Sequence, residues 1–222
     1  MKRIIGVLVL LCAGGMLFLA KAQEVKINTN FIVESDGTIR ADGLASTWDD
    51  ILVPFTQAKQ GNTLLPAFDY NNLGLLFPQN DATEIVYMIV QIPHSYKLGS
   101  EIHPHIHWRQ TTGTNGIPTW KMDYKWFNNG ETVPGTFTTI TTNTGVFTYT
   151  SGSMAQISSF PAISGAENTT GGGLSPGEKN ISSILLVKLY RDDNVVSGYV
   201  LGFQFDVHYE KDTQGSRLEF TK

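Results

Sequence analysis

Residues 102–108 read Ile102-His103-Pro104-His105-Ile106-His107-Trp108, and a second stretch runs from Tyr199 through Phe205-Asp206-Val207-His208-Tyr209 to Glu210. Both alternate apolar and polar residues with a period of two. On an extended chain successive side chains point to opposite faces. His103, His105, His107 and Arg109 therefore share one face of the first stretch, and Ile102, Pro104, Ile106 and Trp108 share the other. In the second, Tyr199, Leu201, Phe203, Phe205, Val207 and Tyr209 are expected to turn inward, with Gln204, Asp206, His208 and Glu210 outward. Strands with one apolar and one polar side belong to a sheet that lays a single face on a core. Pro104 cannot donate to a ladder, so this is an edge strand or the proline sits at a non-pairing position.

The same reading extends along the chain. No window of helical length after residue 23 shows a 3.6-residue apolar period, and turn residues interrupt β-branched and aromatic runs at short intervals. This predicts an all-β fold, an antiparallel β-sandwich of jelly-roll type, in one domain spanning residues 23–222. Glu34-Ser35-Asp36-Gly37 supplies a turn between Phe31-Ile32-Val33 and Thr38-Ile39-Arg40. Trp48 to Phe55 reads as a short anchoring segment, and residues 57–80 as loop. Ile85 to Ile92 reads as a strand buried on both sides. Residues 101–109 and 120–127 look like paired strands. The threonine-rich stretch 131–150 reads as extended. Residues 151–180, rich in Gly, Ser, Asn and Pro, read as a long exposed loop.

The N-terminus has the form of a secretory signal: Lys2 and Arg3, an apolar run from Ile4 to Ala20, and the A-x-A site Ala20-Lys21-Ala22. Cleavage leaves a chain starting at Gln23, exported to the periplasm, the cell surface or beyond, with no stable membrane span. It removes three bases and no acid, leaving 13 basic against 20 acidic residues and a formal charge of −7. That balance argues against nucleic acid as a partner. Cys12, the single cysteine, leaves with the signal, so the mature chain has no disulfide and no thiolate chemistry.

Chemistry concentrates in the two polar rows. His103, His105, His107, Asp206 and His208 are candidate ligands for a divalent transition metal if the strands adjoin. Alternate residues on one strand stand about 7 Å apart, which favours two ligands from the first strand plus one from the strand of His208. The alternative is a row of histidines hydrogen-bonded on a solvated or subunit-facing surface. Gly99 followed by His105-Ile106-His107 matches the opening of the cupin motif. The glutamate expected next is missing, since positions 111 and 112 are threonines. A metal-dependent cupin-like enzyme using His105, His107 and His208 is thus a rival reading. Trp120, Tyr124 and Trp126 share one face of their strand. Exposed, they would stack on sugar rings as in a carbohydrate-binding module; otherwise they pack in the core. No nucleophile elbow, P-loop or H-E-x-x-H motif is present.

Gln91-Ile92-Pro93-His94, Gly99 and His103-Pro104-His105-Ile106-His107-Trp108 together resemble a family of proteins from tailed-phage and prophage genomes. So do Ser182-Ser183-Ile184-Leu185, Arg191, Phe205-Asp206-Val207-His208-Tyr209, Asp212-Thr213 and Gly215-Ser216-Arg217. The similarity covers residues 83–222. It implies a β-sandwich virion component or a surface protein derived from one, assembled as a homo-oligomer, with trimers common. The signal-like N-terminus departs from that pattern. The resulting expectation is an exported, non-catalytic sandwich for assembly or attachment, its partner a surface protein, a glycan or further copies of itself.

Overall fold

The computed structural model describes residues 25–28, 30–35, 37–61, 65–111, 115–142, 155–166, 179–193, 195–217 and 219. The signal-like segment and part of the 151–180 stretch lie outside them. β1 (Val25–Asn28), β2 (Phe31–Val33) and β3 (Ile39–Ala41) form a small antiparallel sheet. The Glu34 N–H donates to the Thr38 carbonyl across the expected turn. There follow β4 (Thr47–Pro54), β5 (Lys59–Gln60), β6 (Ala67–Asp69), β7 (Gly74–Phe77), β8 (Val86–Gln91), β9 (Ile102–Gln110), β10 (Trp120–Phe127), β11 (Thr138–Thr141), β12 (Ala155–Ser159), β13 (Ile184–Arg191) and β14 (Val200–Lys211). One sheet runs β11-β10-β13-β8-β5. The other runs β12-β9-β14-β7-β6, with β4 pairing the far half of β14. Their antiparallel layers pack together as a β-sandwich, as the apolar alternation requires. No described helix is long and apolar enough to cross a membrane.

The core is the sum of the inward rows. Ile102, Ile106 and Trp108 of β9, with Phe205, Val207 and Tyr209 of β14, meet Trp120, Met122 and Trp126 of β10 and Leu185, Val187 and Leu189 of β13. Phe77 of β7 and Trp120 of β10 touch edge to face at 5.0 Å, joining the two sheets. Two buried indole N–H groups are satisfied by serines: Trp108 donates to Ser158 and Trp126 to Ser183.

Several expectations are corrected here. β9 and β10 do not pair. From β8 to β14 the chain crosses between the sheets at every step except the β10–β11 hairpin, so these neighbours in sequence face each other across the core. β8 is buried on one side only: Val86, Met88 and Val90 are inward, while Ile89 is 71% exposed. Residues 57–80 are not a loop but carry β5, β6 and β7, with Leu75 and Phe77 in the core. Within 151–180, β12 pairs along β9. β9 is therefore an inner strand, and Pro104 takes the non-pairing option. Its carbonyl accepts from the Phe160 N–H, and pairing resumes at Ile163 opposite Ile102, so the chain bulges past the missing donor.

The inward row of β14 is also corrected. Gly202 pairs with Trp108 and Gln204 with His107, which leaves Phe203 in a bulge. An extra residue reverses the alternation. Upstream of it Val200 and Gly202 face the core, Leu201 lies opposite Arg109 on the outer side, and Tyr199 is half exposed. A Cβ on Gly202 would come within 2.5 Å of the Phe55 ring, so only glycine lets that ring fill the space.

Arg191 ends β13 completely buried. Its guanidinium pairs with Asp193 and donates to the carbonyls of Phe77, Val196 and Gly198, tying β7 to the turn before β14. Removing one member of a buried pair leaves the other charge uncompensated. Arg191→Met is expected to cost about 3–5 kcal/mol in urea unfolding. Lys121→Ala, which breaks the partly exposed pair with Asp192, should cost less than about 1 kcal/mol. Equal losses would refute this account.

Candidate functional site

The site is built by register on the outer face of the larger sheet. β14 and β9 place His208 opposite His103, Asp206 opposite His105 and Gln204 opposite His107. β4 adds Asp50 beside His208 and Trp48 beside Glu210. β12 adds Ser159 beside His105 and Ile157 beside His107. Side chains directly across a ladder have Cβ atoms about 5 Å apart, so residues distant in sequence meet without any loop to position them.

His105, His107 and Asp206 converge. Their ligand atoms lie within 4.8 Å of one another, and the group can hold a metal ion. His105 Nε2 is 3.3 Å and His107 Nε2 is 2.9 Å from Asp206 Oδ2. Gln204 donates to the same oxygen at 3.1 Å. The other oxygen, Oδ1, is buried and accepts no hydrogen bond from any described residue, and Asp206 as a whole is only 3% exposed. His105 Nδ1 faces the His103 carbonyl at 3.4 Å, which leaves Nε2 aimed at the carboxylate. This is the outer support that ligating imidazoles require.

His103 and His208 stand outside this group. His208 Nδ1 bonds Asp50 Oδ1 at 2.7 Å, and its ring stacks on Trp48 at 4.9 Å with 6° between planes. His103 and Trp48 make a T-shaped ring contact at 5.0 Å, and His103 lies 3.6 Å from Glu101. The metal-capable group thus draws its third member from the strand of His208, and that member is Asp206. Trp48, Asp50, His103, His105, Ile157, Ser159, Phe160 and His208 line an open groove of about 460 Å³.

The sugar-stacking row is not on the surface. Trp120 and Trp126 are buried and Tyr124 is half-buried, its hydroxyl pKa raised by burial. The aromatic that sequence reasoning missed is Trp48. Trp48 and Asp50 alternate onto one face, which was legible; their pairing with β14, some 160 residues later in the chain, was not.

Fold and site together define an antiparallel β-sandwich with a two-histidine, one-aspartate cluster on its outer sheet face. Comparison with protein-family models, with curated proteins and with solved structures returned no match.

The Asp206 carboxylate raises the His105 pKa from its ordinary value of 6.5, against the opposing effect of burial. The folded state therefore binds this proton more tightly than the unfolded chain. Its contribution to stability is complete below the ordinary value and is lost as pH rises through the folded value. In metal-free protein Asp206→Asn is expected to lower the His105 midpoint followed by NMR. An unchanged midpoint would show that the carboxylate is not the cause.

Proposed function

We propose that this protein is a non-catalytic binding module that carries a divalent transition metal at His105, His107 and Asp206 and attaches or assembles through the face around it. The buried, unpartnered Oδ1 of Asp206 carries this reading. Burying a carboxylate is costly without compensation, and among the described residues one oxygen takes every polar contact while the other has none. A cation among the three side chains would supply what that oxygen lacks. Two imidazoles and a carboxylate suit zinc, iron, nickel or copper and leave positions open to a ligand from the groove.

The location of the cluster favours binding over a cupin-like enzyme. It lies on the outer face of a sheet beside an open groove, whereas the space between the sheets is filled by side chains such as Ile106, Trp108 and Trp120. The groove beside the cluster is open to solvent, whereas catalytic electrostatics gain from a water-excluding enclosure. The signal-like N-terminus supports a role outside the cytoplasm. The phage-protein resemblance supports assembly with further copies, and the acidic mature charge argues against nucleic acid as partner.

Elemental analysis of protein purified without chelators tests the metal. Stoichiometric zinc, iron, nickel or copper is expected, with a melting temperature that rises on adding the ion. Asp206→Ala and His107→Ala should each weaken binding at least tenfold. Metal-free protein whose melting is indifferent to all four ions would end this reading.

A further inference from the structure

We infer that the groove beside the cluster is a carbohydrate site, in which a pyranose ring lies against Trp48. This deepens the reading of the face as a binding surface but does not depend on the metal. Trp48 is 46% exposed, whereas the other three tryptophans of the chain are buried. Its indole is nevertheless held in place, stacked on His208 and in T-shaped contact with His103. An aromatic ring fixed before binding loses little freedom when a ligand stacks on it. Ile157, 58% exposed, lies across the groove on β12.

The lining selects the ligand class. Among the described residues no lysine or arginine lines the groove, and Asp50 places a carboxylate in it, so phosphate and nucleotide ligands are disfavoured. Four ionisable side chains, Asp50, His103, His105 and His208, disfavour a purely apolar ligand. What remains is a neutral molecule with an apolar face and a rim of groups that both donate and accept. A sugar ring offers its C–H face to the indole and its hydroxyls to Asp50, Ser159 and the imidazoles. The groove volume falls within the roughly 300–1,000 Å³ of small-ligand sites. The stacking aromatic thus belongs to β4 at the sheet edge and not to β10, whose indoles fill the core.

Trp48 is also the reporter. Tryptophan fluorescence and calorimetry are run with glucose, galactose, mannose, N-acetylglucosamine and lactose, on metal-supplemented and on chelator-treated protein. At least one sugar is expected to bind. Trp48→Ala should weaken it at least tenfold, Trp48→Phe should retain most of the affinity, and Ile89→Ala on the opposite sheet should change nothing. Circular dichroism confirms that each variant is folded. Absence of binding by all five sugars in both forms, binding unaffected in Trp48→Ala, or tighter binding of inorganic phosphate than of any sugar would overturn the inference. These outcomes leave the metal analysis untouched. A protein that binds sugar but no metal sinks only the metal reading.

Discussion

The antiparallel pairing of β9 with β14 is the constraint on which the rest depends. It runs from Gln110 opposite Val200 to Ile102 opposite Tyr209, interrupted once at Phe203. One side of this ladder carries Ile102, Ile106, Phe205 and Val207 into the core. The same register sets Asp206 against His105 on the other side. A slip of one residue would turn the imidazoles inward and the isoleucines outward, a cost that the core does not permit. Hydrophobic burial thereby enforces the geometry of a polar site that contributes nothing to the core itself.

That geometry is electrostatically one-sided. Asp206 sits near the middle of an inner strand, flanked by β9 and β4, and the sheet removes its carboxylate from water. The sandwich core makes no use of this carboxylate, which lies on the outer face of the sheet opposite His105. Replacing buried ionic groups with apolar ones is often neutral or stabilising. Under the proposed function, the cluster is a binding device held by the fold. Arg191 and Asp193 are a contrasting case. Their pair is fully enclosed, and the guanidinium satisfies three backbone carbonyls as well as its partner, so it acts as a joint between chain segments.

The groove shows how an edge strand completes a face. β4 contributes little to the core, yet it delivers Trp48 and Asp50 to the imidazole of His208. The Asp50 bond and the indole stack together fix that ring. Five side chains from three strands, Trp48, Asp50, His103, His105 and His208, thus share one surface with the metal-capable group.

Much of this was legible along the chain. Period-two alternation set the all-β class, the strand positions of β9, β10, β13 and most of β14, and the outward row containing His103, His105, His107, Asp206 and His208, because side-chain direction on a strand is a local property. The bulge at Phe203 was not legible, since it depends on Phe55 and Phe77 needing the space beside Gly202. Nor was the crossing of β9 and β10 into opposite sheets, the fate of Trp120 and Trp126, or the convergence of Asp206 rather than His208 on His105 and His107. These follow from which strands lie side by side. Pairing partners are decided by the packing of the whole core, and no local pattern encodes them.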